Sequence, residues 1–196
     1  MPIFARNVPL GSRVPWFRTK SLDDGELTPR SADGRPLLVM FICNHSPYVR
    51  HIEDHLSSTI AAYQSRGLFA MAVSPNDPIA YPTDDADSMR QQSQRAGFTF
   101  PYVLDADQTL ARAFEASCTP EFFLYMDMAK GGRLVYHGEY DETRPGHGAP
   151  PTGTPLRHAL DAVLAGTTYR DDQLPSFGCS VKWKSGLDAT AALALS

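Results

Sequence analysis

The sequence predicts an α/β domain built on a central mixed sheet, and three observations point there. Three apolar runs of strand length, LLVMFIC (residues 37–43), LFAMAVS (68–74) and FPYVLD (100–105), are separated by stretches with a helical pattern. Two further strand-like runs, FFLYMD (122–127) and RLVYHGEY (133–140), flank a Lys130-Gly131-Gly132 turn and so form a hairpin. The resulting order, β-α-β-α-β-α-β-β-α, puts strands linked through helices first and an antiparallel pair near the end, with helices flanking the sheet.

The elements follow in order. Residues 1–36 are rich in Pro, Gly, Ser and charge and read as an irregular extension, with a hairpin around Asp23-Asp24-Gly25-Glu26. The run 37–43 lacks polar alternation, as expected of a strand covered on both faces. After Pro47, Val49, Ile52, Leu56, Ile60 and Tyr63 recur at spacings of three and four, the stripe of a helix with one buried side, ending near Arg66-Gly67. The second strand leads into PNDPIAYP (75–82), whose three prolines exclude regular structure. A polar helix over 85–96, closed by Gly97, precedes the third strand, and a short helix spans 108–114. Leu156, Ala159, Leu160, Val163 and Leu164 mark a last amphipathic helix capped by Gly166. Residues 167–184 show no clear periodicity and are expected to pack over the body; 185–196 reads as a frayed tail. Trp16, Phe17 and Trp183 are read as packing anchors for the two extensions.

Composition narrows the class. At 196 residues, the chain is one domain, residues 1–184, with a terminal tail. A domain of this size buries roughly 70% of its unfolded surface and needs no disulfide staples or metal to fold. A net charge of −4 without a Lys/Arg block argues against nucleic acid or an anionic membrane as the main partner. No apolar run reaches the roughly 20 residues of a membrane span. The opening MPIFARNVPLGSRVPWF lacks the apolar core of a secretory signal, and three widely spaced cysteines make no disulfide framework. The expected setting is cytoplasmic, with thiols that are buried fillers or working groups.

The working-group reading centres on Cys43-Asn44-His45-Ser46-Pro47. Cys43 sits where a buried strand gives way to a helix. A helix start offers unpaired N–H groups and roughly half a positive charge, both of which stabilise a thiolate. A protonated His45 would add to this, Ser46 could cap the helix or donate to the sulfur, and Pro47 suits the first helical position. The second site is Cys118-Thr119-Pro120, just before a strand; a proline there belongs at an edge, a bulge or a first residue. Cys43, His45, Cys118 and Cys179 lack the spacing of a zinc site, so no metal or cofactor is expected. His51, His55, His137, His147 and His158 read as surface residues, as do Glu139, Asp141, Glu142 and Arg144 at the hairpin end.

Taken together, FICNHSPYVRHIED, SPNDPIAYP, GFTFPYVLD, CTPEFFLYM, LVYHGEYDETRPGHG and FGCSVKWK resemble a branch of thioredoxin-like proteins related to the AhpC/TSA peroxiredoxins, over roughly residues 10–184. The resemblance implies a thioredoxin-like fold, a cis Pro120 lying against the helix start that bears Cys43, and a thiol-dependent oxidoreductase acting on a thiol or disulfide substrate. It also implies that Thr119-Pro120 presents backbone to an extended substrate.

One departure stands out: the usual motif of this branch reads Cys-Asn-His-Cys-Pro, and here the fourth position is Ser46. A hydroxyl cannot resolve a mixed disulfide. Resolution then falls to Cys118, to Cys179, or to an external small thiol. Because side chains alternate along an extended segment, Cys118 and Thr119 cannot both face Cys43. A peroxiredoxin-like peroxidase is a weaker expectation, because the attacking cysteine of peroxiredoxins aligns with Ser46. A different class, a redox-inactive binding module that uses the same groove, is the alternative that Ser46 favours.

Overall fold

The computed structural model describes residues 1–169 and 172–187. Its strands are β1 (Pro2–Phe4), β2 (Thr19–Lys20), β3 (Glu26–Leu27), β4 (Leu37–Phe41), β5 (Phe69–Ser74), β6 (Tyr102–Leu104), β7 (Cys118–Thr119), β8 (Glu121–Met126), β9 (Arg133–Gly138) and β10 (Phe177–Ser180). Its α-helices are α1 (Pro47–Gln64), α2 (Ala86–Ala96), α3 (Thr109–Ala113) and α4 (Thr154–Leu164). The main sheet has the order β6-β5-β4-β8-β9. β4, β5 and β6 run parallel to one another, whereas β8 is antiparallel to both β4 and β9, so the sheet is mixed as the sequence predicts. The expected tail from residue 185 falls largely outside the described residues.

The unbroken apolar run of β4 has a direct cause. Leu38 and Met40 pack into one cluster with the α1 stripe (Ile52, Leu56, Ile60), Met89 of α2, and Leu156 and Leu160 of α4. Leu37, Val39 and Phe41 point the other way, into a second cluster with Leu110 and Phe114. Phe17 and Leu27 of the N-terminal extension complete that side, so the extension does the work of a second helix layer. With both faces covered, no position of β4 tolerates a polar side chain, and alternation disappears. Helix ends follow the sequence signals: the Asp85 side chain accepts from Ser88 N–H at the start of α2, and Gly97 closes it at φ 68°.

Four expectations are corrected. FGCS in the supposedly irregular C-terminal segment is a strand, β10, held between β1 and β7 in a second, three-stranded sheet. Trp16 is no packing anchor; it is 66% exposed, under the Arg30 guanidinium, whereas Phe17 is buried and Trp183 packs against the core. His137 is buried, with Nε2 2.8 Å from Glu121 Oε1. Glu139 and Asp141 are also buried, Asp141 accepting the N–H groups of Thr152 and Gly153 ahead of α4.

Candidate active site

β4 and β5 lie parallel in register, Phe41 opposite Val73, and Ile42 N–H extends the pairing to Val73 O at 3.0 Å. Parallel neighbours end at the same sheet edge, so the loops that follow them, 42–46 and 75–85, emerge side by side. This is how Asp84, in the 3₁₀ turn Pro82–Asp84, reaches the Cys43 loop. Asp84 Oδ1 accepts the backbone N–H of Asn44 (2.9 Å) and of His45 (3.1 Å). Asp84 Oδ2 accepts Asn76 Nδ2–H at 2.8 Å and lies 2.5 Å from His45 Nδ1. The carboxylate is buried, and four donors share its two oxygens.

His45 Nδ1 also stands 4.0 Å from Cys43 Sγ, and the ring stacks on Tyr81 with centroids 5.7 Å apart. The bond to Asp84, with further help from Cys43, outweighs partial burial and raises the His45 pKa to about 10. The ring is therefore an imidazolium at neutral pH. Burial raises the Asp84 pKa, but its bonds to His45 and Asn76 more than offset this and leave it below the usual carboxylate value. The result is a sulfur–imidazolium–carboxylate row in which one ring nitrogen faces both neighbours.

The second loop supplies the other side. The Thr119–Pro120 peptide is cis, as the resemblance implies. Thr119 Oγ1 lies 3.2 Å from Cys43 Sγ, and Ser46 Oγ–H donates to Thr119 O at 3.2 Å. Ser46 occupies the helix N-cap position, but its hydroxyl neither caps α1 nor bonds the sulfur. Cys118 turns to the opposite side, its Sγ 3.7 Å from Pro120 O and 4.0 Å from Ser176 O, where burial pushes the thiol far above its ordinary pKa. Cys179 is the cross-strand partner of Thr119.

Four features differ from the expected picture. Cys43 has no exposed surface at all, whereas a working nucleophile calls for access. The N–H groups of the two residues that follow it, Asn44 and His45, are bonded to Asp84 and are not free for the sulfur. The backbone of Thr119 is already paired with β10, which occupies the edge that an extended substrate would use. Arg144 is not a solvated loop residue: it bonds Glu139 at 2.5 Å and lies over the Phe177 ring.

Sequence reasoning names Cys43, His45, Ser46, Thr119 and Pro120, and the structure brings them together; it misses Asp84 and Asn76. The available signal was the irregular, polar SPNDPIAYPTDD loop at the C-terminal end of a buried parallel strand, where sites in open α/β sheets gather. Cys43, His45 and Asp84 also place a sulfur, a nitrogen and a carboxylate oxygen within 4.8 Å of one another, a donor set of metal-ligand type. The nitrogen and both oxygens are already engaged in the bonds above, so the hydrogen-bonded row accounts for the arrangement by itself.

Comparison with known proteins gives the setting. The family model described as AhpC/TSA family matches residues 10–135. A hypothetical protein from Sinorhizobium meliloti is 38% identical, with 93% of this chain and 99% of that chain covered and a TM-score of 0.88. An uncharacterized conserved protein from Geobacillus kaustophilus is 34% identical, covering 95% and 98%, with a TM-score of 0.89. A secreted disulfide oxidoreductase from Mycobacterium tuberculosis, homologous to DsbE, is 18% identical over 75% of this chain and 96% of that one, with a TM-score of 0.56. This last likeness, like the others at such identity, establishes the thioredoxin-like fold. No curated protein matches the chain. Among the described residues, no helix is long and apolar enough to cross a membrane.

Proposed function

The chain belongs to the AhpC/TSA family, and from that premise we propose that it is a thiol-dependent oxidoreductase in which Cys43 exchanges with small disulfides. The observation that carries this reading is the charged ring beside the sulfur: His45, protonated through Asp84, stands 4.0 Å from Cys43 Sγ. A fixed cation next to a sulfur is the arrangement that favours the nucleophilic thiolate, and Thr119 Oγ–H supplies a second donor at 3.2 Å. Asp84 and Asn76 position the ring and do not touch the substrate. The M. tuberculosis disulfide oxidoreductase shares the fold, which agrees with the chemistry without supplying it. The substrate is a small thiol or disulfide rather than an extended protein segment, because β10 already pairs with Thr119. The work is cytoplasmic and needs no cofactor or nucleic acid.

The test is reduction of hydroxyethyl disulfide and of insulin, with glutathione as reductant. The small disulfide should be turned over by the wild-type protein and not by Cys43→Ser, and insulin should be a poor substrate for both. Equal turnover of hydroxyethyl disulfide by the two proteins would remove Cys43 from any mechanism. A second reading, a redox-inactive binding module, has its own observations: a sealed Cys43 and a serine at position 46. It would be supported if neither protein turned over either disulfide and Cys43 resisted iodoacetamide at neutral pH.

A further inference from the structure

We propose that Cys179 is the thiol that resolves Cys43, delivered by β10 as a substrate strand built into the chain. The proposal rests on the reading of Cys43 as nucleophile and adds the identity of the second sulfur. β10 is antiparallel to β7, with Cys179 directly opposite Thr119 and Ser180 opposite Cys118. Directly opposed residues of an antiparallel pair project from the same face with Cβ atoms about 4.5–5.5 Å apart. The Thr119 side chain on that face touches Cys43 Sγ at 3.2 Å. Thr119 therefore has a cysteine on each flank, one from the helix start and one from β10. Cys118 is excluded by the same alternation, since its sulfur faces Pro120 O and Ser176 O.

The strand is also tied to the charged row. Asn76 donates through Nδ2 to Asp84 Oδ2, and its Oδ1 accepts Lys182 N–H just beyond β10, both at 2.8 Å. One side chain thus links the carboxylate behind His45 to the segment that carries Cys179. Cys179 is partly exposed, whereas Cys43 and Cys118 are buried, so of the two possible partners it is the one with room to move.

The chemistry balances with a disulfide RSSR as oxidant. The Cys43 thiolate attacks one sulfur of RSSR, forming Cys43–S–S–R and releasing RS⁻. The Cys179 thiol, losing its proton to water, then attacks Cys43 Sγ; the S–S bond of the mixed disulfide breaks, a Cys43–Cys179 disulfide forms and a second RS⁻ leaves. Two protein thiols are oxidised and one RSSR is reduced to two thiols. An external thiol then returns the protein to its starting state.

The experiment uses the full chain, reduced, with 5,5′-dithiobis(2-nitrobenzoate) as the disulfide under native conditions at neutral pH. It follows thionitrobenzoate release, intact mass and non-reducing peptide maps. The wild-type protein should yield a peptide pair joining Cys43 to Cys179 and release two thionitrobenzoates per linked chain. Cys179→Ser and Cys179→Ala should both stop at a persistent adduct on Cys43, and Cys118→Ser should behave as wild type. A Cys43 adduct that lasts as long in the wild type as in Cys179→Ser, or a link from Cys43 to Cys118, overturns the proposal and leaves the nucleophile standing. A first release as fast in Cys43→Ser as in the wild type reverses the order of the two sulfurs and also overturns it. No adduct or link on Cys43 in any of these proteins removes the nucleophile itself, and the resolving thiol falls with it.

Discussion

The charge on His45 is the residue-scale fact from which the chemistry follows, and it depends on a single buried carboxylate. With the folded pKa near 10 against an ordinary 6.5, the protonated ring contributes stability in full below about pH 6.5, and the contribution fades as pH rises through about 10. Replacing Asp84 by Asn keeps an oxygen for the amides of Asn44 and His45 but removes the anion that holds the proton on the ring. In Asp84→Asn the His45 midpoint, followed by NMR titration, should fall from about 10 toward 6.5, and adduct formation at Cys43 should slow at neutral and higher pH. A midpoint unchanged by the substitution would mean that the ring charge is set elsewhere and would take Asp84 out of the site. Cys43 and His45 are legible in the sequence because they are adjacent and sit at a strand-to-helix corner. Asp84 is not, because it lies 39 positions from His45 and meets it only through the parallel pairing of β4 with β5.

Among the elements, β10 is the one that occupies the edge beside Thr119. Its fit against β7 depends on Gly178, where a Cβ would lie 2.1 Å from Thr119 O and 2.6 Å from Thr119 C. The constraint is space rather than backbone conformation, since Gly178 is not among the positive-φ glycines and the obstructing atoms are backbone atoms that cannot swing aside. Gly178→Ala should therefore lift β10 from β7. Iodoacetamide labelling of Cys43 should rise relative to the wild type, while the yield of the Cys43–Cys179 peptide pair should fall. If both stay at wild-type levels, β10 neither shields the site nor delivers the second thiol. The contrast with α1 shows what sequence can reveal about an element. Val49, Ile52, Leu56, Ile60 and Tyr63 announce α1 by spacing alone, and all five are buried. β10 is four residues long, flanked on both sides by strands distant in the chain, so its pairing leaves no local period to read.

Across the whole molecule, the fold was legible because most strands obey one rule, burial on both faces of a mixed sheet, and the unread parts are those that obey none. The short β1-β10-β7 sheet draws its strands from the start, the middle and the end of the chain, so it ties both extensions to the site. A bond between Cys43 and Cys179 would thus close a long loop running from the end of β4 to β10. For loops longer than 100 residues, lost chain entropy in the unfolded state stabilises the fold by about 4–5 kcal/mol when the native geometry accepts the bond without strain. At roughly 2–4 °C per kcal/mol for a chain of this size, the oxidised protein should melt about 8–20 °C above the reduced one. Calorimetry of the wild-type protein before and after 5,5′-dithiobis(2-nitrobenzoate) treatment measures this, and Cys179→Ser, which stops at the adduct on Cys43, separates cross-linking from mere modification. A rise confined to the wild type would place both sulfurs in one rigid arrangement already present in the reduced fold. A melting point that falls on oxidation would mean that β10 must leave β7 to make the bond, and the strand would then be a gate rather than a built-in substrate.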